Sequence, residues 1–204
     1  MIVVVDYKLG NLGSIYNMLR KIGASVVISD DPTQISQAEK IIIPGVGSFD
    51  SGMQRLNESG LRPLLEQLVM EKKIPTLGVC LGMQLLTRGS DEGDAQGLGW
   101  VPGRTVAFAK PAEDSSLKIP HMGWNNIQIT KQDPILEDLE QSRYYFVHSF
   151  YVKCDDPAMV LATTHHGDEF VSVYRSGNIW GTQFHPEKSH RFGMKLLTNF
   201  AEMD

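Results

Sequence analysis

Short apolar runs alternate with helical patterns along the first half of the chain. Four of these runs have the length of buried strands, and they lie at 2–5, 25–29, 41–43 and 76–79. Between the first two, apolar residues recur at helical spacing from Leu12 to Ile22, in a helix that Asn11 is expected to cap. Further helices are predicted at 61–72 and 81–88. Strands that alternate with helices in this way indicate a mainly parallel sheet covered by helices.

The second half, after Gly89, is dominated by short β-like runs and turn-rich pieces such as 110–116. The runs lie at 105–108, 126–129, 144–147, 159–163, 171–174 and 179–183. They favour antiparallel pairing that completes the same sheet, and an apolar stripe at 192–203 predicts a final helix. We therefore predict an α/β fold of one domain, residues 1–204, whose central sheet is open, mixed and mostly parallel, with an antiparallel-rich C-terminal half.

The composition is that of an ordinary globular protein. Hydrophobic residues make up 42% of the 204, which excludes global disorder. A net charge of −5, from 19 Lys and Arg against 24 Asp and Glu, argues against general binding to nucleic acid or anionic membrane. No run reaches the ~18 apolar residues of a membrane span, and no targeting segment is visible, so a soluble, cytoplasmic protein is expected. Two cysteines are too few for a disulfide framework.

Cys80 is the candidate nucleophile. It lies between Gly78 and Gly82, directly after an apolar strand and directly before a helical pattern. Gly-x-Cys-x-Gly at such a junction has the form of a nucleophile elbow, in which the glycines avoid clashes with neighbouring backbone. The positive end of the helix dipole favours a thiolate there. Most isolated cysteines are inert core residues, and Cys154, with nothing around it to activate a thiol, is expected to be structural.

A thiol nucleophile needs a base and a group that orients the base. His185 and Glu187 supply both residue types in one short segment, directly after the strand predicted at 179–183. A structural role is the more common fate of a single histidine, but only His185 among the six has an acidic residue two positions on at the end of a predicted strand. Metal binding by His185, Glu187 and His190 is the rival use. That spacing matches no standard site, so we expect no metal and no other cofactor.

Acyl chemistry also needs hydrogen-bond donors for the developing oxyanion. The backbone N–H of Leu81, directly after the candidate nucleophile, is one natural donor. The loop 44–47, Pro-Gly-Val-Gly, can bring a second main-chain amide close, because its glycines let the backbone approach a substrate. A simple turn at the end of a strand is the other interpretation of this loop.

Three separated segments together resemble a known family. They are IPGVGSF at 43–49, GVCLGMQ at 78–84 and QFHPEKS at 183–189. They are similar to the corresponding segments of the class I, triad-type glutamine amidotransferases, and the resemblance covers essentially the whole chain. It implies a flavodoxin-like α/β fold and the hydrolysis of glutamine to glutamate and ammonia by a Cys-His-Glu triad, without a cofactor.

Further segments narrow the resemblance to the glutaminase subunits of imidazole glycerol phosphate synthase. These segments are DYKLGNLGS at 6–14, PHMGWN at 120–125 and YFVHSFYV at 145–152. Subunits of anthranilate and aminodeoxychorismate synthases usually carry His where this chain has Met83. The narrower resemblance implies a heterodimer in histidine biosynthesis. In it the ammonia passes to a cyclase subunit, which makes imidazole glycerol phosphate and an aminoimidazole carboxamide ribonucleotide.

The resemblance also implies a role for each matching residue. Cys80 is the nucleophile, His185 the general base and acid, and Glu187 the residue that orients it. The oxyanion role falls to Gly45, Val46 and Gly47 with the Leu81 amide. Gln84 lines the glutamine pocket. The α-amino and α-carboxylate groups of glutamine are held by the backbone of His148, Ser149 and Phe150.

The same resemblance places a set of residues at the interface with the cyclase subunit: Asn11, His121, Met122, Trp124, Tyr145 and Lys188. A cluster of Met and aromatic side chains beside the site suits a protein interface. Core packing is the other interpretation for Met122 and Trp124.

Two alternative functions remain open from the sequence. One is a stand-alone cysteine hydrolase, such as a γ-glutamyl hydrolase or a small peptidase, which would act without a partner. The other is a non-catalytic interaction module with a vestigial triad. A complete set of Cys80, His185 and Glu187 argues against the second alternative.

Overall fold

The computed structural model describes residues 1–109 and 117–203, so the turn-rich piece predicted at 110–116 lies outside the described residues. The strands are β1 Ile2–Val5, β2 Val26–Ser29, β3 Lys40–Ile43, β4 Thr76–Val79, β5 Gly103–Ala107, β6 His121–Asn126, β7 Gln128–Ile129, β8 Arg143–His148, β9 Phe150–Cys154, β10 Val160–His166, β11 Asp168–Ser176 and β12 Ile179–Thr182. The helices are α1 Leu12–Lys21, α2 Pro32–Ile35, α3 Phe49–Glu58, α4 Arg62–Glu66, α5 Leu81–Leu85 and α6 His190–Glu202.

Within this part of the chain, eight strands form the main sheet in the order β2-β1-β3-β4-β12-β11-β10-β7. The five strands from β2 to β12 in that order are parallel, and β11, β10 and β7 continue the sheet antiparallel. The predicted mixed, mostly parallel open sheet with an antiparallel-rich C-terminal half is therefore confirmed. Two separate antiparallel pairs, β5 with β9 and β6 with β8, lie outside this sheet.

Helices cover both faces of the parallel part of the sheet. Successive residues of a strand point to opposite faces, so Ile2 and Val4 of β1 pack in the apolar cluster that includes residues of α1 and α6. Val3 and Val5 pack on the other face, in the cluster that includes residues of α3, α4 and α5. A strand buried on both faces needs apolar side chains at every position, which explains the continuous apolar runs in the sequence.

Two local predictions about helices are wrong. The side chain of Asn11 does not cap α1. Its ψ of 62° departs from the extended conformation in which a capping side chain reaches the amides of the first turn. The helix predicted at 81–88 ends at Leu85, because the carbonyls of Leu85 and Leu86 accept hydrogen bonds from the amides of Leu98 and Val101 instead of from a further turn.

The helix predicted at 61–72 changes character along its length. It begins as α4, and a π-helical turn, Gln67–Glu71, continues it. None of the helices in the described ranges has the length and apolar character needed to cross a membrane.

The topology gathers the candidate site at one edge of the sheet. The strands β1, β3, β4 and β12 are parallel neighbours, so their carboxyl ends lie side by side. The segments that leave these ends begin at Asp6, Pro44, Cys80 and Gln183. In open α/β sheets ligands bind beyond this edge, so the fold places the candidate nucleophile and base where a ligand is expected.

Candidate active site

Cys80 occupies a sharp turn between β4 and α5. Its φ of +53° and ψ of −110° lie in a region that residues other than glycine rarely adopt, and α5 begins at the next residue, Leu81. The Cys80 amide donates to the carbonyl of Thr182 in β12, at 2.8 Å. The turn therefore has the geometry of a nucleophile elbow, attached directly to the neighbouring strand.

The two glycines around Cys80 allow this turn by their lack of a side chain. A Cβ at Gly82 would lie 1.9 Å from the carbonyl oxygen of Ile43, at the end of β3. A Cβ at Gly78 would lie 2.8 Å from the amide nitrogen of Met83. Backbone atoms cannot yield to such contacts, so the Gly-x-Cys-x-Gly pattern is a steric requirement of the elbow.

His185 and Glu187 follow β12 and form a buried pair. The Nδ1 atom of His185 lies 2.8 Å from Oε1 of Glu187, and the two side chains are only 2% and 1% exposed. A carboxylate accepts, so Nδ1 carries the proton that it donates. Among the described residues, Nε2 of His185 has no hydrogen-bond partner. The remaining ring nitrogen is thus available for proton exchange.

Hydrogen bonds to its main chain hold His185 in position. The amide of His185 donates to the carbonyl of Tyr145 in β8 at 3.0 Å, and the Ser189 hydroxyl donates to the carbonyl of His185 at 2.6 Å. Ser189 also accepts from the Tyr145 amide at 3.0 Å. This reciprocal arrangement ties the segment after β12 to β8.

The charge of His185 is governed by its two neighbours. Burial by itself lowers the pKa of His185, but the adjacent Cys80 and Glu187 outweigh burial and raise the pKa to about 10. The imidazolium form of His185 is therefore favoured by its two neighbours, Cys80 and Glu187. The Nε2 amide of Gln183 also approaches the Cys80 sulfur, at 3.9 Å.

A cleft of about 420 Å³ opens over the elbow and the imidazole. Its lining includes Val46, Gly47, Cys80, Leu81, Gln84, Glu92, Pro120, Val147, His148, Ser149, Phe150, His185 and Lys188. Ten of the eleven residues that the resemblance assigns to the triad, oxyanion hole and substrate pocket lie in or directly behind this lining, Glu187 behind the imidazole of His185. The eleventh, Gly45, packs against the elbow, since a Cβ there would lie 2.7 Å from the Gly82 amide.

Gln84 binds the backbone at the break between β8 and β9, which borders the cleft. Its Nε2 donates to the carbonyl of Phe150 at 3.0 Å and to Oε1 of Gln183 at 3.1 Å. β8 ends at His148 and β9 begins at Phe150, so the backbone around Ser149 is left to face the cleft. The side chain of Gln84 therefore lines the cleft and also holds the backbone of its wall.

A chain of hydrogen bonds reaches the same carbonyl through two buried histidines. Nδ1 of His148 lies 2.8 Å from the Phe150 oxygen, Nδ1 of His121 lies 3.0 Å from Nε2 of His148, and Nδ2 of Asn125 lies 3.2 Å from Nε2 of His121. Burial lowers the pKa of His121 to about 4 and that of His148 to about 3, so both rings are neutral at pH 7. Each ring then donates through Nδ1 and accepts through Nε2, in one direction from Asn125 to Phe150.

Glu92 is a cleft residue that the sequence did not suggest. Its Oε2 accepts from the Phe49 amide at the start of α3, at 2.8 Å. Asp50 in turn accepts from the amides of Asp94 and Ala95, at 3.2 and 3.0 Å, so α3 and the loop of Glu92 are cross-linked. No local pattern marks Glu92, because only the folded chain brings this loop to the cleft.

Three large apolar side chains are exposed among residues 1–109 and 117–203: Met122 at 62%, Trp124 at 41% and Val46 at 38%. Met122 pairs with Val147, which lines the cleft, and Trp124 pairs with Tyr145, which forms a bridge to His185. Core packing is thus not the role of Met122 or Trp124. Val46 itself lines the cleft, and we call these three exposed residues at or beside the cleft the apolar rim.

The other residues assigned to an interface differ in their exposure. Lys188 is exposed, with its ammonium 5.8 Å from the centre of the Tyr145 ring, and Asn11 and Tyr145 are half-buried. His121 is buried in the hydrogen-bonded chain described above.

The surroundings of His190 and Cys154 differ from those of the elbow. In the described ranges, no group of three His, Cys, Asp or Glu is arranged to hold a metal ion. The ring of His190 stacks on Trp124, with 5.5 Å between ring centres. Burial and the neighbouring Asp155 and Asp156 raise the pKa of Cys154 to about 12, so its thiol stays protonated and unreactive.

The sequence profile of the family described as glutamine amidotransferase class-I matches residues 3–203. Similar curated proteins include the imidazole glycerol phosphate synthase subunit HisH 2 of Methanococcus maripaludis, which is 51% identical over 99% of both chains. The subunit HisH 2 of Pseudomonas aeruginosa is 48% identical over the full length of both.

Solved structures agree at the level of the fold. A crystal structure of a glutamine amidotransferase superposes with a TM-score of 0.76 and 19% identity, over 99% of this chain and 98% of that one. The structure of PurLQS from Thermotoga maritima gives 0.70 and 20%, over 98% and 96%. The family profile matches residues 3–203, which include the elbow and the buried His–Glu pair, and the two HisH relatives span nearly the whole chain. This chain therefore belongs to the class-I glutamine amidotransferases.

Proposed function

We propose that this chain hydrolyses glutamine with Cys80, His185 and Glu187 and delivers the ammonia to the cyclase subunit of imidazole glycerol phosphate synthase. One observation carries the proposal. The elbow cysteine and the buried His–Glu pair follow two adjacent parallel strands, β4 and β12, whose register pairs Thr182 with Val79. Relatives that share about half of the residues over the full length carry the name of that synthase.

The mechanism follows from the positions of the side chains. The Cys80 thiolate attacks the side-chain amide carbon of glutamine, and the oxygen becomes an oxyanion that main-chain amides of Leu81 and the loop 45–47 stabilise. His185 gives a proton to the departing ammonia, which leaves a γ-glutamyl thioester on Cys80. His185 then takes a proton from water, and the resulting attack releases glutamate and the thiol. Glu187 holds the imidazole through Nδ1 during both steps.

An assay of glutamate formation tests the function. We expect glutamine alone to be hydrolysed slowly, and addition of the cyclase subunit with its nucleotide substrate to raise the rate about 10-fold or more. The two chains should also co-purify as a heterodimer. Fast hydrolysis of γ-glutamyl peptides without any partner would instead identify a stand-alone hydrolase, and no hydrolysis in any mixture would leave only an interaction module.

Glu92 is proposed to bind the α-ammonium group of glutamine. Its carboxylate lines the cleft, and it is the acidic side chain among the described residues of that lining. We expect Glu92→Gln to raise KM for glutamine ~10-fold or more while kcat changes little, because a hydrogen bond to a charged group is lost in both the ground and transition states. The amide oxygen of the glutamine variant can still accept from Phe49.

Steady-state kinetics in the presence of the cyclase subunit measure this effect. Asp94→Asn, in the same loop but outside the cleft lining, is the matched control and should leave KM unchanged. A fall in kcat at constant KM would contradict the assignment.

The apolar rim of Val46, Met122 and Trp124 is proposed as the docking surface for the cyclase subunit. Exposed Met and Trp are costly in water and are enriched in the centres of protein interfaces. A partner seated on this rim would cover the cleft and keep the ammonia out of bulk water, where it would be protonated and lost. Lys188 adds a positive charge at the same edge.

Trp124→Glu is expected to weaken binding of the cyclase subunit ~10-fold or more, since a buried interface tryptophan often contributes about 2 kcal/mol or more. Titration calorimetry with the purified cyclase subunit measures the change in Kd. Lys72→Glu is the control, because Lys72 is exposed near the amino end of β4, away from the cleft. Equal Kd values for wild type and Trp124→Glu would exclude this rim as the interface.

A cytoplasmic location is proposed as well. Both cysteines are free thiols, as expected for a protein of a reducing compartment.

A further inference from the structure

Tyr7 lies directly beneath the loop 44–47. It follows β1, whose parallel neighbour β3 ends where that loop begins. The side chain is fully buried, in the apolar cluster that also contains Leu81 and Met83 of the elbow helix. A tyrosine in an apolar cluster must find a partner for its hydroxyl.

The partner of this hydroxyl is the first carbonyl of the loop. The Tyr7 O–H donates to the carbonyl oxygen of Pro44. The hydroxyl also contacts the next residue, since a Cβ at Gly45 would lie 2.9 Å from the Tyr7 oxygen. The same Cβ would lie 2.7 Å from the Gly82 amide, so Tyr7, Gly45 and the elbow meet at one point.

The hydrogen bond from Tyr7 to the Pro44 carbonyl also orients the neighbouring main-chain atoms. A peptide group is planar, so the direction of the Pro44 C=O sets the direction of the Gly45 N–H. It also sets the starting direction of the residues that follow. These are Val46, which is exposed, and Gly47, whose φ of +97° lets the chain turn there.

The hydroxyl is a permanent donor. Burial, and to a lesser degree the charge of Cys80, raise the pKa of Tyr7 well above the ordinary value near 10. The phenol therefore remains protonated at any pH at which the protein works.

We propose that Tyr7 is a positioning residue for the oxyanion loop: its hydrogen bond to Pro44 holds the main-chain amides of residues 45–47 in place over Cys80. This inference rests on the proposed function. The oxyanion exists only during the reaction, so the contribution of Tyr7 should appear in kcat and not in KM.

The test is Tyr7→Phe, which removes one oxygen atom and keeps the ring. In complex with the cyclase subunit, we expect kcat for glutamine hydrolysis to fall about 10-fold, less than the ~10²–10³-fold lost when an oxyanion donor itself is removed. KM should stay within about 2-fold of wild type. Thr76→Val is the control, because Thr76 is equally buried and its hydroxyl donates to the Ile74 carbonyl at 2.9 Å, at the amino end of β4 and away from the cleft. It should lower thermal stability to a similar extent and leave kcat unchanged.

Alkylation of Cys80 by iodoacetamide separates positioning of the loop from activation of the thiol. This displacement at a saturated carbon needs the thiolate but forms no oxyanion. We expect the Cys80 thiol of the Tyr7→Phe variant to be alkylated at the wild-type rate. A rate that falls in parallel with kcat would overturn the proposal, because Tyr7 would then act on the nucleophile.

Replacing Tyr7 with 4-aminophenylalanine restores a donor at the same place and should recover much of the lost kcat. Three results would contradict the role of Tyr7: an unchanged kcat in Tyr7→Phe, a rise in KM alone, or no recovery with the amino group. Glutamate formation by wild-type protein in the same assay checks the proposed function separately, so its failure is distinguishable from failure of this inference.

Discussion

Replacing Cys80 with alanine is expected to lower glutamine hydrolysis in the complex with the cyclase subunit by more than about 10⁴-fold. The thioester cannot form without the sulfur. In the proposed mechanism His185 and Glu187 only move or orient a proton, so neither replaces Cys80 as the acceptor of the γ-glutamyl group. The fold should survive, since alanine is smaller and its Cβ is already present in cysteine. Glutamate formation at saturating glutamine measures the loss, and circular dichroism checks the fold.

Cys154→Ser provides the control for this substitution. Its thiol lies at the end of β9, away from the cleft, and we expect full activity. A glutamine-like electrophile should label Cys80 and spare Cys154 in the wild-type protein. If Cys80→Ala retained partner-stimulated ammonia release, or if both cysteines were labelled equally, the nucleophile would have to be another group.

Gly82→Ala should damage both stability and activity through one added methyl group. The new Cβ would lie 1.9 Å from the Ile43 carbonyl oxygen, so either α5 or the end of β3 must move. We expect a loss of about 3 kcal/mol in the free energy of unfolding, or roughly 10 °C in Tm. Movement of α5 would also displace the Leu81 amide and Cys80, so the remaining folded protein should hydrolyse glutamine poorly.

Gly13→Ala is the matched substitution for Gly82→Ala. Gly13 is likewise the second residue of its helix, α1, but nothing lies within 4 Å of the position of its Cβ. Alanine there should raise the free energy of unfolding by about 0.5–1 kcal/mol, because it favours the helix over the unfolded chain. Thermal melts of the two variants measure the contrast. Similar melting temperatures would show that the close contact at Gly82 is relieved without cost.

The sequence revealed the parts of the fold whose constraints are local. β1 and β4 could be placed to the residue, because a strand buried on both faces needs a nearly continuous run without charged side chains. The elbow was visible for a similar reason, since its steric demands fall on Gly78 and Gly82, close to Cys80 in the chain. The pair of His185 and Glu187 was equally compact in sequence.

α3 and β9 have no counterpart among the predicted elements. α3 was not predicted, although Ser48 caps it and Phe49, Met53 and Leu56 recur at helical spacing. Gly52 in the same segment suggests a break, but in the structure it makes room for Leu81 and Leu85 of α5. β9 was not predicted, because its run continues that of β8 and the strand change at Ser149 leaves no mark in the pattern.

The rest of the site depends on contacts between distant segments. His121 and His148 are register partners on β6 and β8, and nothing near either residue announces a hydrogen bond between their rings. Glu92 reaches the cleft only because Asp50 holds its loop. Tyr7 reaches the Pro44 carbonyl only because β1 and β3 are neighbours. Such relations follow from the order of the strands, which local periodicity does not determine.

The position of β12 in the sheet also determines when the candidate site can form during synthesis of the chain. Cys80 leaves the ribosome long before His185, and the strand that carries the histidine must enter between β4 and β11, both of which are made earlier. A nascent chain that ends before β12 therefore has its thiol but lacks both the Thr182 carbonyl that accepts from the Cys80 amide and the proposed base, His185. We therefore expect the candidate nucleophile to become competent only when β12 closes the sheet.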